Sequence, residues 1–510
     1  MLALSGQAAA FWVATATAAD YPALPGDLEV DVAIVGGGIV GLTAAELLKQ
    51  AGKRVAVIEA GRVGQQVTGR STAKVTSQHG LICQQLAKNF GEDGARVYAA
   101  ANQAGIERIA SFVQELGIEC DFERKAAFVY SRSDEQVADI RAEVEVAKRV
   151  GLPAEFVREC SLPFPIAGAI RFDDQGQFHP CRYTAGLAQA VAGGGGQIFE
   201  HTRALSIEHG EPCRVSTDRG RVSAREVIVA THMPIGKEGM FFAKAYPYTH
   251  PMVAARIDEA KAPDGMFISA GTPTHSIRTA RADGATWLVA VGGAYKPGHP
   301  DEAAQMFKDL ERFVRQELGA GSVEYYWTNE DYNSMDGVPF IGRASSGAPH
   351  LFVATGFNAW GITTGTAAGM ILPDLIMGRS NPWAELFDAT RIKPMAGARD
   401  FVAENLSTAK HLLEGYARGR PRSIDEVAPG EATVLKLDGE RVAVSKDEHG
   451  NVQIVSAVCT HMNCVLGWNP ADRTWDCPCH GSRFAADGSV LHGPATSPLE
   501  RKSVPGEEPA

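Results

Sequence analysis

A glycine-rich turn between a short apolar strand and a helix constrains the fold most strongly. The stretch DLEVDVAIVGGGIVGLTAAELLKQAGKRVAVIEAG, which begins at Asp27, has the pattern of a strand, a turn, a helix and a second strand. Gly36, Gly38 and Gly41 occupy the turn in the spacing Gly-x-Gly-x-x-Gly. This order predicts a βαβ unit, and therefore an α/β domain built on parallel strands.

The same turn predicts a dinucleotide-binding site. The first glycine permits the tight turn, the second lets the backbone approach a pyrophosphate, and the third allows close packing of the helix on the strand. Glu59 ends the second strand, where its carboxylate can accept hydrogen bonds from the adenosine ribose hydroxyls. A purely structural glycine turn is the alternative, and the strand, helix and acid in register favour the nucleotide site.

Length and charge limit the remaining function classes. A chain of 510 residues is too long for one ordinary core, so two or three domains are expected. The net charge of -11 argues against a nucleic-acid partner and favours a small-molecule substrate or a protein partner. No run of about 18 apolar residues occurs, so no transmembrane anchor is expected. The apolar N-terminal stretch lacks a basic region, and we expect a cytoplasmic protein.

Cysteines and histidines are concentrated in the stretch CTHMNCVLGWNPADRTWDCPCHGS. Cys459-x-His461 and Cys477-x-x-His480 supply two thiolates and two imidazoles. Structural zinc sites use the same ligands, but they usually pair cysteine with cysteine and histidine with histidine. One cysteine and one histidine in each motif instead favour a two-iron cluster, in which both thiolates bind one iron and both imidazoles bind the other.

Composition changes mark three segments of the chain. From residue 423 onward, apolar and polar residues alternate between turn residues, which predicts short antiparallel strands and a small all-β domain over 423–510. The polar segment 386–422 is predicted to be a helical linker. Residues 1–385 are predicted to form the dinucleotide-binding domain together with an α+β substrate subdomain.

Several further strings resemble the D-amino-acid oxidase (DAO) group of FAD-dependent oxidoreductases over about residues 28–375. These strings are GRSTAKVTSQHG, QFHPCRYTAGLAQA, VIVATH, DGVPFIG and ATGFNAWGITTGTAAG. The resemblance implies a Rossmann-like, DAO-type fold that binds FAD. It also implies which residues contact the cofactor: Thr68, Ser71 and Thr72 at the phosphates or ribityl chain, and Gly356, Gly361 and Gly365 beside the isoalloxazine. A glycine run that only packs a helix closely remains the alternative for the last three.

Candidate catalytic residues are less well defined. Lys74 and His79 fall in strings near the position where this family places its flavin, and the weaker candidates are His179, Tyr248, His250 and Lys296. For each of them a solvent-facing or hydrogen-bonded core position remains an alternative. The sequence has no evident arginine and tyrosine pair to hold an amino-acid carboxylate, so amino-acid oxidation rests on the resemblance alone.

The motifs CTHMNC and CPCHGS, with the flanking GPATSPLE, resemble the Rieske proteins. The resemblance implies a [2Fe-2S] cluster at the four predicted ligands. It further implies a disulfide between Cys464 and Cys479, as in the high-potential branch of that family. Ser482 matches a hydroxyl donor to a cluster sulfur, whereas Phe484 replaces a tyrosine that gives a second donor, which predicts a lower potential.

Joining a flavin to a [2Fe-2S] cluster predicts an enzyme that converts two-electron chemistry into single-electron transfer. In the first hypothesis, FAD oxidises a small amine, amino acid or hydroxy acid, and electrons leave through the cluster to a cytochrome, quinone or other redox protein. In the second, NAD(P)H reduces FAD and the protein supplies an oxygenase. The second hypothesis needs a nicotinamide site, and no second Gly-x-Gly-x-x-Gly motif follows a strand. A redox sensor is a third hypothesis.

Overall fold

The structure is a computed structural model that describes residues 6–392, 423–437 and 439–503. Most of the predicted helical linker 386–422 therefore lies outside the described residues. The part of it that is described contains the end of a short helix, Ala384–Phe387. The described residues form two modules, which we call the first module (6–392) and the C-terminal module (423–503).

A mostly parallel sheet at the centre of the first module confirms the predicted βαβ unit. Leu28–Val35 pairs in parallel with Val55–Ile58 on one side and with Arg221–Val229 on the other. Its other strands are Gly196–Phe199, Ala204–Glu208, Cys213–Thr217, Phe340–Arg343 and Leu351–Thr355. Because the parallel strands end at the same edge, the turns that follow them meet there.

Helices cover this sheet and fix the predicted glycine turn. Ile39–Gln50 follows the turn directly, and Thr363–Ile376 packs across it. A side chain at Gly365 would come within 3.2 Å of Ile39, so this glycine permits the close helix crossing. The remaining α-helices are Phe11–Ala14, Cys83–Glu115 with a kink at Gly91, Val137–Arg149, Pro180–Val191 and Pro300–Arg312.

The second sheet of the first module forms the α+β substrate subdomain. Its longest pair is antiparallel and joins Ala245–Arg256 to Val323–Ser334. The other strands are Gln7–Ala8, Lys74–Val75, Glu123–Ser131, Ala154–Val157, Gly168–Gln177, Met266–Ser269, Ser276–Ala282 and Ala285–Val291. The apolar N-terminal stretch belongs to this subdomain, since Phe11 and Trp12 are fully buried and the Trp12 indole donates to the Ser71 carbonyl.

The C-terminal module consists of two small antiparallel sheets, as the alternating pattern predicted. One sheet contains Ala432–Leu437, Glu440–Lys446 and Val452–Ser456, and the other contains Gly467–Asn469, Thr474–Asp476, Arg483–Ala485 and Val490–His492. Cys459 and His461 lie in the loop that joins the two sheets, and Cys477 and His480 lie in the loop between Thr474–Asp476 and Arg483–Ala485 of the second sheet. Over the described parts of the chain, no helix has both the length and the apolar character needed to cross a membrane.

A buried ionic network joins the two modules. Asp472 of the C-terminal module lies 2.6 Å from the Arg70 guanidinium of the first module and 2.7 Å from Arg483 of its own module. The Thr328 hydroxyl also donates to Asp472. Burial alone would raise the pKa of Asp472, but the charges of Arg70 and Arg483 outweigh burial and hold the pKa below its usual range. The network therefore fixes the C-terminal module against the loop that follows the second strand.

Candidate active site and metal centre

One cavity of about 350 Å³ lies where the parallel strands of the first module end. Residues of both modules line it. The first module contributes the glycine turn, Glu59, the loop at 66–74 and the loop at 357–363, and the C-terminal module contributes Leu491, His492, Gly493, Ala495 and Thr496. A dinucleotide bound along the glycine turn would thus have the C-terminal module as part of its enclosure.

The glycine turn has the backbone shape that a pyrophosphate requires. Gly36 has a φ of 113°, and a side chain there would overlap the carbonyl oxygen of Ala230. Gly38 precedes the helix Ile39–Gln50, whose N-terminus faces the cavity. A side chain at Gly41 would overlap the Gly36 carbonyl, in agreement with the predicted close packing. These positions fit the phosphates of a bound dinucleotide.

Glu59 organises the other end of the turn. Its two carboxylate oxygens accept hydrogen bonds of 2.8 Å from the backbone amides of Gly37 and Gly61. Burial raises the pKa of Glu59, and the two amide hydrogen bonds oppose that rise. Each oxygen retains a lone pair, so Glu59 can still accept a ribose hydroxyl as predicted.

The loop residues proposed to contact the cofactor divide into two groups. Thr68, Ser71, Thr72 and Gly361 line the cavity, and the Thr68 hydroxyl accepts a 3.2 Å hydrogen bond from the Ile39 amide. Gly356 and Gly365 are absent from the cavity lining among the described residues. Gly365 lies against Ile39 of the helix, as the packing alternative describes, and Gly356 lies against Ser334 of a strand; a cofactor contact at either glycine stays a prediction.

Lys74 is buried in the wall of the cavity. Its Nζ donates 2.6 Å hydrogen bonds to the Phe267 carbonyl and the Ser276 hydroxyl. Burial lowers the pKa of Lys74 well below its usual range, and the nearby charge of Arg278 lowers it further. A neutral amine that uses both N–H groups for these bonds keeps its lone pair free to take a proton.

The structure does not bring His79 to the cavity. Its Nδ1 lies 2.7 Å from the Tyr98 hydroxyl and its Nε2 lies 2.8 Å from the Thr76 carbonyl, while the ring stacks on Trp360. Burial lowers the pKa of His79 to about 3. A neutral imidazole with both nitrogens engaged is a structural group, so the prediction that His79 is catalytic disagrees with this geometry.

The weaker catalytic candidates also divide into those that line the cavity and those that do not. His250 lines the cavity, and burial lowers its pKa. His179 caps the helix Pro180–Val191 through the Arg182 amide and lies 3.2 Å from the Thr15 hydroxyl. Lys296 lies over the ring of Tyr248, and neither residue is part of the described cavity lining.

Sequence reasoning missed the strand Val323–Ser334, which contacts the cavity on one face and the C-terminal module on the other. Successive side chains of a strand point to opposite faces. Asn329 and Asp331 line the cavity. On the other face, Thr328 bonds to Asp472, and the Tyr332 hydroxyl donates a 2.8 Å hydrogen bond to the His480 carbonyl. The acidic pair in TNEDY was visible in the sequence. Only the tertiary fold shows which face of the strand meets the cavity and which meets the C-terminal module.

The four predicted metal ligands converge on two loops of the C-terminal module. Cys459 and Cys477 are buried, and their sulfurs share a hydrogen bond that lowers the pKa of Cys459 to about 7. The imidazoles of His461 and His480 have ring centroids 5.0 Å apart. Nδ1 of each histidine is buried without a hydrogen-bond partner. Two adjacent sulfurs and two unsatisfied imidazole nitrogens fit the ligand set of a two-iron cluster.

The surroundings of these ligands complete the centre. A disulfide joins Cys464 to Cys479 and so ties one ligand loop to the other. The Ser482 hydroxyl accepts a hydrogen bond of 3.0 Å from Ala495 and also bonds to the Cys459 sulfur. Phe242 of the first module contacts both imidazoles, with centroid distances of 5.6 and 5.5 Å. The histidine side of the centre therefore faces the first module.

Two family models match the chain. The FAD dependent oxidoreductase (DAO) model matches residues 31–375, and the Rieske [2Fe-2S] domain model matches residues 421–503. The first match spans most of the first module, and the second spans the module that carries the cysteines and histidines.

Individual relatives agree with both matches. The putative Rieske 2Fe-2S iron-sulfur protein YhfW of Bacillus subtilis is 33% identical over 96% of this chain and 97% of its own. Gamma-glutamylputrescine oxidoreductase of Escherichia coli is 27% identical over 73% of this chain and 88% of its own. The crystal structure of glycine oxidase from Geobacillus kaustophilus matches with a TM-score of 0.58, covering 72% of this chain and 99% of that one at 20% identity, and shows the fold alone.

Proposed function

Because the chain belongs to the FAD dependent oxidoreductase family and carries a Rieske [2Fe-2S] domain, we propose that it oxidises a small amine, amino acid or hydroxy acid and delivers the electrons singly to an external acceptor. When bound, FAD supplies two-electron oxidation and the [2Fe-2S] cluster supplies one-electron transfer. The acceptor would be a cytochrome, a quinone or another redox protein. A cytoplasmic location stays a prediction.

The main observation behind this proposal is that the strand Val323–Ser334 contacts both the cavity and the C-terminal module. One face of the strand lines the cofactor cavity through Asn329 and Asp331, and Tyr332 holds the loop of the ligand His480. The same strand therefore contacts both the cavity and a loop of the metal centre. Such proximity supports electron transfer within the chain, since both centres are held on one covalent framework without a diffusional encounter.

Within the proposed substrate classes, the cavity favours an amine. Arg62 and Arg203 are the arginines of the described lining, and both lie at the Glu59 end: Arg62 is close to it in sequence and the Arg203 charge acts on Glu59. The carboxylate of Asp331 faces the same cavity as Lys74. A carboxylate attracts an ammonium group, and a neutral Lys74 can take the proton that the amine must lose before oxidation.

Anaerobic flavin reduction tests the proposal directly. The holoprotein is mixed with amines, amino acids, hydroxy acids or NADH, and both the flavin absorbance and the electron paramagnetic resonance (EPR) signal of the cluster are recorded. We expect an amine to bleach the flavin and the reduced-cluster signal to follow. Rapid bleaching by NADH alone would contradict the proposal and favour an electron supply to an oxygenase. Reduced flavin without any cluster signal would contradict the electron path.

Asp331→Asn provides the matched test of the amine preference. Removing the carboxylate is expected to raise the amine concentration needed for half-maximal bleaching and to leave the cluster signal intact. Asp283→Asn, in an exposed turn of the same subdomain, is the control. If the two variants respond equally to amines, Asp331 does not bind the substrate cation.

A further inference from the structure

A second group of metal-binding side chains lies where the two modules meet, and two of its members, His232 and His492, also line the cavity. His232 follows the strand Arg221–Val229, and Glu330 lies within Val323–Ser334. His492 ends the strand Val490–His492 of the other module. One ligand atom from each of the three side chains lies within 4.8 Å of the others. None of the three belongs to the four predicted ligands of the [2Fe-2S] cluster.

Two of these side chains, His232 and Glu330, lack hydrogen-bond partners, whereas Nδ1 of His492 lies 3.0 Å from the Gly493 carbonyl. Both ring nitrogens of His232 and both carboxylate oxygens of Glu330 are shielded from solvent and have no hydrogen-bond partner. The Tyr332 hydroxyl, which lies beside Glu330, already donates its hydrogen to the His480 carbonyl. An unsatisfied buried polar group costs about 1–3 kcal/mol, and more if it is charged. Four such atoms close together indicate that a bound group supplies the polar contacts that the protein does not provide.

The local charge balance identifies the sign of that group. Four carboxylates and two guanidinium groups form the network around it: Glu330, Asp331, Asp472, Asp476, Arg70 and Arg483. Arg203 also faces His492, but its own counter-charges are Glu59 and Asp218. Among the described residues, acidic groups therefore outnumber guanidinium groups in this network, which favours a cation as the bound group.

We propose that His232, Glu330 and His492 bind one divalent transition-metal ion. Two imidazole nitrogens and a carboxylate are ligands that zinc and ferrous iron accept, whereas calcium and magnesium prefer oxygen alone. The ion links the modules, because His232 and Glu330 come from one and His492 from the other. This site goes beyond the proposed substrate oxidation and does not depend on it.

Metal analysis of the holoprotein tests the site. The protein, loaded with FAD and the cluster, is incubated with Zn²⁺, desalted and analysed for zinc, iron and flavin. We expect one ion per chain beyond the irons of the cluster in the wild type, and its loss in His492→Asn and Glu330→Gln. His449→Asn, at an exposed histidine of the C-terminal module, is the matched control and should keep the ion. The flavin absorbance and the cluster EPR signal verify that each variant is folded.

Two results would overturn the proposal. The first is a wild type that retains no ion beyond the cluster irons. The second is zinc that His492→Asn retains as fully as the wild type, which would identify an adventitious ion only. If a variant fails to fold, Co²⁺ in the wild type provides the readout: visible bands of a nitrogen and oxygen ligand field are expected, and a spectrum of free aqueous Co²⁺ would contradict the site.

Discussion

The two cofactor sites of this chain are constructed in opposite ways. The predicted ligands of the metal centre are side chains within Cys459–His480, on two adjacent loops. The cavity takes its lining from Val35 to Thr496, and much of its shape comes from backbone at glycine positions. A site made of nearby side chains is defined by the sequence alone, whereas a site made of backbone and distant strands depends on the whole fold.

The sharpest test of this difference removes one side chain from the metal centre. Cys477→Ser takes away a buried sulfur ligand, and we expect complete loss of the cluster EPR signal. Reduction of the flavin by substrate should remain, because no cavity residue changes. Cys160→Ser, at a half-buried cysteine of the first module, should keep both signals. Loss of FAD from Cys477→Ser would show that the two sites are not independent.

Gly36→Ala makes the corresponding change in the cavity, whose shape depends on the backbone at glycine positions. The new side chain would overlap the Ala230 carbonyl at a φ of 113°, so we expect most of the bound FAD to be lost and the cluster to be retained. The control is Gly52→Ala, which has a φ of 81° but open space around it. This control isolates the strain of the backbone, about 1–2 kcal/mol, from the steric overlap. Equal FAD content in both variants would refute the role of the close contact.

Lys74→Met tests the stronger of the two catalytic candidates that line the cavity, Lys74 and His250. Removal of a general base is expected to slow substrate-dependent flavin reduction by about 10²–10⁴-fold. The unfolded chain holds a proton on Lys74 up to a pH of about 10.4, while the folded state releases it at lower pH. Wild-type stability should therefore rise with pH between the two pKa values, and the variant should lose this rise. Exposed Lys148→Met is the control; an unchanged rate in Lys74→Met would exclude the base.

Asp472→Asn tests the contact between the two sites. The change leaves the buried Arg483 and the partly buried Arg70 with less counter-charge, and we expect a loss of about 3–5 kcal/mol in the free energy of unfolding. Because the folded pKa of Asp472 is lowered, the difference from wild type should be complete above a pH of about 4 and shrink as the pH falls through the folded pKa. Urea unfolding at several pH values measures this. Asp487→Asn, on a more exposed loop, should cost far less.

Of these variants, Phe484→Tyr should have the smallest effect, and it should change the metal centre alone. Phe484 is fully buried with the ligand cysteines. A hydroxyl there would add a donor toward the cluster and raise its reduction potential, within the range of about -150 to +300 mV for Rieske centres. Redox titration followed by EPR measures the shift. A lower or unchanged potential would mean that the hydroxyl makes no hydrogen bond to the cluster.

Sequence reasoning performed best where the signal was local. The βαβ unit was predicted from a continuous stretch and is confirmed by parallel pairing on both sides of Leu28–Val35. The cysteine and histidine motifs predicted a Rieske-type centre, and the matching family model confirms the domain type. Both signals lie within a few dozen consecutive residues, so no tertiary information was needed.

The same reasoning failed where a residue's role depends on its distant neighbours. Lys74 and His79 are five residues apart, yet only Lys74 lines the cavity, because Tyr98 and Thr76 occupy both nitrogens of His79. Asp331 and His492 went unpredicted, since nothing in their local sequence shows that they face a cofactor cavity. Strand alternation could have separated Asn329 and Asp331 from their neighbours, but it could not have told which face meets the cavity.

The strand Val323–Ser334 makes the chain sensitive to a kind of mutation that seldom matters in a surface loop. Insertion of a single residue after Thr328 would reverse the orientation of every later side chain in the strand. Asp331 would then point toward the C-terminal module and Tyr332 into the cavity. A single-residue insertion would therefore disrupt both cofactor sites. We expect insertions and deletions in this strand to be far rarer in evolution than substitutions.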